Sequence, residues 1–228
     1  MLTGPSISVN QLAQYMNSKA AKQREILYQR KYPDPEFNPG IFHREARDEI
    51  SSYLADGAID ASGLHKRLGV LRQFEAPKVG TQRRINSNID SIERFLEMLD
   101  QVNFEGGSVA LGPHNPPKMK YHNVSISVRP EIILIGGDKK KRQLKGGMKL
   151  QLSKGAALDE DMAKTISAVL QPVFIDYLNS DDCIIHAPYC QVVDVSIGKI
   201  YPGVKSITQR MKDVAAECQN IAALWPSI

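Results

Sequence analysis

Over the first hundred positions, apolar residues recur at steps of three and four, the period of an amphipathic helix. Val9, Leu12, Tyr15, Met16, Ile26 and Leu27 predict one helix from Val9 to Gln29, with Ser8 as its N-cap. Phe42, Ala46, Ile50, Tyr53 and Leu54 predict a second over Ile41–Leu54, and Leu64, Leu68 and Leu71 a third over Ala61–Phe74. Ile85, Ile89, Ile92, Leu96 and Leu99 give the cleanest stripe and a fourth helix, opened by Arg83 and Arg84. Cations suit that end of a helix dipole poorly, which hints at an anionic partner. The segment YPDPEFNPG predicts a loop, and EAPKVG a break.

From Phe104 the period falls to two. GGSVALG reads as a short strand. From Tyr121 to Ile135 the residues Val124, Ile126, Val128, Pro130, Ile132 and Leu134 share one face, as in a long strand. Pro130 within it implies an edge, a bulge or a break into two pieces. The turn signal GGDKKKR leads to a second strand over Gln143–Ser153. Helical spacing then returns in Leu158, Met162, Ile166, Val169, Leu170, Val173 and Phe174, through Tyr177, with acids Glu160 and Asp161 in the first turn and Pro172 expected to kink it. QVVDVSI predicts another strand and 206–224 a last helix. A strand, a helix of this length and a strand make a β-α-β crossover, which places the two strands parallel in one sheet. The expected fold class is therefore α/β: a mixed sheet with an antiparallel hairpin and one β-α-β crossover, preceded by an α-helical N-terminal region. The expected division is 1–82 for the helices and 83–228 for the α/β core.

Composition narrows the picture. The chain of 228 residues is 42% hydrophobic and 24% charged, which excludes wholesale disorder. No apolar run approaches the roughly 20 residues a membrane helix requires. The opening MLTGPSISVNQLAQ lacks the charged and apolar regions of a secretory signal. Three cysteines are too few for a disulfide framework, so a cytoplasmic protein with no membrane partner is expected. A formal net charge of +4 is compatible with a nucleic-acid partner.

Two residues carry the candidate chemistry. Glu131 closes the first long strand behind Pro130, and Lys149 lies on the second strand with Gln151 on the same face. The run VSISVRPEIILIGGDKKKRQLKGGMKLQLSK, the crossover helix after it and QVVDVSI resemble the core of the PD-(D/E)XK nuclease superfamily, which includes RecB-like and restriction-endonuclease-like enzymes. The opening SISVNQLAQYM resembles the N-terminal helix of RecB-like members. The likeness covers residues 84–200 reasonably and the first 83 weakly. It implies that Pro130-Glu131 stands at the motif's first acid, with Glu131 a catalytic residue and metal ligand, that Lys149 is the motif lysine orienting the nucleophile, and that Gln151 is a secondary ligand. The acid expected two residues before Lys149 is absent, its place taken by Gly147, and no Gln-x-x-x-Tyr motif is present. Phosphodiester hydrolysis in such a fold needs Mg²⁺ held by carboxylates. Glu131 alone binds it weakly; Asp194, Glu93 or Glu97 would have to complete the site. The resemblance thus implies a nucleic-acid-associated protein with an eroded centre and no cofactor, in a processing or defence-type assembly. The alternatives are an active Mg²⁺-dependent endonuclease and a protein-interaction subunit that serves a larger protein partner.

The basic run Lys139, Lys140, Lys141 and Arg142, followed by Lys145, is either a phosphate-contacting patch or a solvated hairpin tip. Lys19, Lys22, Arg24, Arg30 and Lys31 form a second basic face. Cys183, His186 and Cys190 fit no standard zinc spacing. Gly136-Gly137 and Gly146-Gly147 suit turns and close packing better than phosphate binding. Trp225 is expected to fasten the last helix or to face another subunit.

Overall fold

The computed structural model describes residues 2–34, 39–176 and 183–228. Its architecture is mixed α/β, with a largely helical first hundred residues and a sheet core built from parallel and antiparallel strands. The N-terminal region holds a short strand β1 (Ser6–Ser8) and helices α1 (Val9–Met16), α2 (Ala20–Lys31), α3 (Pro39–Phe42), α4 (Arg44–Ala55), α5 (Ser62–Gln73) and α6 (Val79–Leu96). Strands β2 (Ser108–Leu111), β3 (Met119–Tyr121), β4 (Val124–Ser127), β5 (Ile132–Gly137) and β6 (Gln143–Gln151) follow. Helix α7 (Glu160–Asp176), strands β7 (Cys183–Ile185), β8 (Val192–Asp194) and β9 (Lys199–Tyr201), and helix α8 (Thr208–Leu224) complete the chain. None of the described helices is long and apolar enough to cross a membrane.

The expected helix over Val9–Gln29 is two helices. Ser8 does cap the first, in a box with Gln11. The break follows from Asn17 and Ser18, whose side chains bond the carbonyls of Ala13 at 2.9 Å and Gln14 at 2.6 Å. Such polar residues satisfy the end of a helix and release the chain from it. The fourth helix starts earlier than its apolar stripe, at Val79, so Arg83 and Arg84 do not open it. Arg84 is ion-paired with Glu45 on α4, which gives it a partner within the fold.

The long strand expected over Tyr121–Ile135 is likewise divided, and its pieces lie in different sheets. His122 and Asn123 both take positive φ, making a tight two-residue turn between β3 and β4. Beyond β4 the chain leaves the first sheet, passes Pro130, and re-forms as β5. One small sheet has the order β1-β4-β3, with β1 parallel to β4. The larger sheet runs β2-β5-β6-β8-β9, with β7 also paired to β6. Alternation persists through the break, but Val124, Ile126 and Val128 join one core and Ile132 and Leu134 the other.

The β6-α7-β8 segment is the expected crossover, with β8 parallel to β6. One face of the large sheet packs on α4, α5 and α6 through Ile132, Leu134, Met148, Leu150 and Val193. The second core gathers α1, α2, α7 and α8 around the small sheet, with Cys190 and Val192 at its border. Asp194 fixes the turns at the crossover. Its carboxylate accepts the Leu158 N–H at 2.7 Å, the Ser196 N–H at 2.9 Å and the Ser196 hydroxyl at 2.6 Å. Asp194→Ala strands buried donors, so a loss of about 2–3 kcal/mol is expected from urea midpoints at unchanged slope.

Candidate functional site

The β5–β6 hairpin pairs Ile132 with Met148, and one step further that register sets Glu131 opposite Lys149. The Glu131 N–H donates to the Met148 carbonyl at 2.9 Å, and the Glu131 carbonyl accepts the Gly112 N–H at 2.8 Å. Backbone bonds on both sides therefore fix the side chain at the mouth of the hairpin. Lys149 Nζ lies 2.8 and 3.0 Å from the two Glu131 oxygens, and the Leu150 N–H donates to Oε2 at 2.8 Å. Arg47 on α4 brings Nε to 3.6 Å of Oε1. The Glu131 side chain is 1% exposed and that of Lys149 11%. Burial holds the Lys149 ammonium below the ordinary lysine range; Glu131 opposes this, while Arg47 and Arg129 reinforce it.

Gln151 stands beside the pair but its amide is engaged elsewhere. Its oxygen accepts from Asn10 Nδ2 at 2.6 Å, and its nitrogen donates to the carbonyls of Ala156 at 2.8 Å and Ser153 at 3.3 Å. Gln151 thus ties α1 to the end of β6. Position 147 has no room for an acid. A Cβ there would overlap the Ile132 carbonyl oxygen and meet the Phe174 ring at 2.8 Å.

This donor set does not fit a divalent cation. Mg²⁺ requires hard oxygens free to coordinate it. Those of Glu131 already accept an ammonium and a backbone N–H with a guanidinium alongside, and those of Asp194 are filled by N–H and O–H donors. Glu93 pairs with Arg72 at 2.6 Å. Among the described residues, no group of three or more His, Cys, Asp or Glu side chains is placed to hold a metal ion.

The basic tip lies at the other end of the hairpin. Seven residues of β-strand separate Arg142 from Lys149, about 23 Å. Asp138 organises the tip: one oxygen accepts the N–H of Lys140 and of Arg142, and the other pairs with the Arg142 guanidinium at 2.6 Å. The backbone bond from Arg142 is the chief reason its carboxyl is held below the usual range. Lys139, Lys140 and Lys141 are exposed, whereas Lys145 is half-buried on β6.

Cys190 belongs to the core, its thiol pushed up to about 12 by burial, and the His186 ring stacks edge-on against Tyr189 at 4.6 Å. An inert buried thiol fits the absence of a zinc spacing. Tyr189 fills the hollow left by Gly136 and Gly146, so those glycines serve close packing. Trp225 is buried, and its carbonyl accepts Lys31 Nζ at 2.7 Å, fastening the end of α8 to α2. Tyr177, to which the crossover helix was expected to run, lies outside the described residues.

Sequence reasoning missed Arg47, Arg129 and Asn10. Arg129 precedes Glu131 by two residues, the spacing of side chains on one strand face, and that was a usable signal. Arg47 and Asn10 arrive from helices about 84 and 141 positions away in sequence, where no local pattern announces them. No protein-family model matches the chain, and no curated protein matches it.

Proposed function

We propose that this is a nucleic-acid-associated protein built on a degenerate, restriction-endonuclease-like PD-(D/E)XK core that holds its partner without cutting it, within a nucleic-acid-processing or defence-type assembly. One observation carries the reading: an acid and a lysine face each other on adjacent strands ahead of a crossover helix, with the acid's oxygens already taken by donors. The pair then serves as a brace for the hairpin. The phosphate contacts fall to the exposed lysines at the tip, Lys139, Lys140 and Lys141, which stand clear of the core.

The test is binding of labelled duplex and single strands, of DNA and RNA, between about 50 and 200 mM salt. Affinity is expected to fall steeply with salt. Lys139→Ala/Lys140→Ala/Lys141→Ala should lower the slope of log K against log salt by about one for each lysine that touches phosphate. No binding of any strand at the lowest salt would overturn the proposal in favour of a protein-interaction subunit. Cleavage with Mg²⁺ or Mn²⁺ that disappears in Lys149→Ala would overturn its non-hydrolytic part.

A further inference from the structure

Helix α2 has a composition that packing does not explain. Ile26, Leu27 and Lys31 alone are buried along its twelve residues. With its N-cap it carries Lys19, Lys22, Arg24, Arg30 and Lys31 against one acid, Glu25. That surplus of four equals the formal net charge of the whole chain, so elsewhere the charges balance. Several of these cations are occupied. Lys22 pairs with Glu25 at 3.0 Å, the Arg30 guanidinium bonds the Ser6 carbonyl at 3.1 Å, and Lys31 bonds the Trp225 carbonyl. Lys19 and Arg24 are exposed.

Two tyrosines at the end of the same helix, one in its last turn and one at its C-cap, reach solvent. Tyr28 is 58% exposed and Tyr32 38%, and their ring centroids stand 5.0 Å apart at a tilt of 44°. Arg24 precedes Tyr28 by one helical turn, and Tyr32 follows by another, so the three make a single stripe. Lys31 holds Tyr32 from behind, with Nζ 5.7 Å from the ring centroid. The rings are therefore preset, with Tyr28 the more open of the two.

We infer that the Arg24–Tyr28–Tyr32 stripe of α2 is a stacking platform for unpaired bases of a single-stranded nucleic acid, with Lys19 and Arg24 on its phosphates. The inference rests on the nucleic-acid reading above and adds strand type and location to it. Aromatic faces stack on any unpaired base, and nearby cations track the backbone. In a duplex the bases already stack on each other and present no free face. The patch answers to negative charge and to flat rings together, which is the chemistry of a single strand.

The experiment compares fluorescence polarisation of oligo(dT), oligo(U) and an abasic strand of equal length, all with the full-length protein. Tyr28→Ala/Tyr32→Ala is expected to weaken the better of the two base-bearing strands at least tenfold and to leave the abasic strand unchanged. Tyr28→Phe/Tyr32→Phe, which keeps both rings, should bind as the parent does. Arg24→Ala should weaken all three strands. Both tyrosines are surface residues, so unchanged thermal melting will confirm that the variants are folded. Parent protein that binds no strand at low salt would overturn the nucleic-acid reading itself. Parent protein that binds strands while the double alanine variant loses nothing would overturn the platform alone.

Discussion

Glu131→Ala will lower the unfolding free energy by about 3–5 kcal/mol, a large share of the ~5–15 kcal/mol that holds a typical domain. The substitution removes the carboxylate that pairs with Lys149 and lies beside Arg47, and leaves the Lys149 ammonium buried without that counter-charge. It also takes the acceptor from the Leu150 N–H, buried near the end of β6. Breaking one side of such a pair is far worse than replacing both sides. Glu131→Met/Lys149→Met should accordingly recover the part of the loss that comes from the stranded ammonium, while the Leu150 N–H and Arg47 stay without the carboxylate. Urea unfolding of the parent, the single and the double variants reads this directly. A single-variant loss under about 1 kcal/mol would mean that water already solvates the pair as it does at a surface.

Gly147→Asp, which would supply the acid that the proposed nuclease-like reading lacks, is expected to yield no nuclease and a badly weakened fold. Its Cβ overlaps the Ile132 carbonyl oxygen on the neighbouring strand, and its carboxylate would be buried against Phe174. Overpacking alone costs about 1–3 kcal/mol, and an unpaired buried charge adds more. Gly147→Ala separates the terms by keeping the overlap without the charge. Soluble, stable Gly147→Asp protein that cleaves DNA with Mg²⁺ would show that the strands can part to admit a second ligand, and the account of position 147 given above would be wrong. Under the proposed reading the missing acid has a structural reason: the close approach of β5 and β6 and an acid at 147 exclude one another.

Most helices and the hairpin were legible because their signals are local. Leu64, Leu68 and Leu71 repeat within one helix, and the alternation of Val124 to Leu134 survives intact in the structure. A break into two pieces at Pro130 was one of the outcomes the run allowed; that the pieces would lie in different sheets was not. A period of two reports which way side chains point, not which neighbour the backbone bonds, and Pro130 marks a change of partner that the pattern cannot express. Strand β1 has three residues and gains its place from β4, far along the chain. Strand β9 is equally short and owes its existence to pairing with β8. At the site, the alternation placed Glu131 and Lys149 on candidate faces, and the hairpin register brought them together. The neighbours that decide what the pair does, Arg47 and the Leu150 N–H, were not legible. One comes from a distant helix, and the other is a main-chain group present at almost every position.

The parallel pairing of β1 with β4 has a consequence for how the chain is made. Ser6 leaves the ribosome more than a hundred residues ahead of Ser125, its partner. At about 5–20 residues per second, the N-terminal segment waits roughly 6–24 s before the strand it joins exists. During that interval only the neighbouring α2, through Ile26 and Leu27, is at hand to cover the apolar stripe of Ile7, Val9 and Leu12, while β4, α7 and α8 are still missing. Nascent chain is therefore most prone to clumping through this segment until β4 has emerged, and a chaperone that shields residues 7–12 over that interval should raise the soluble yield.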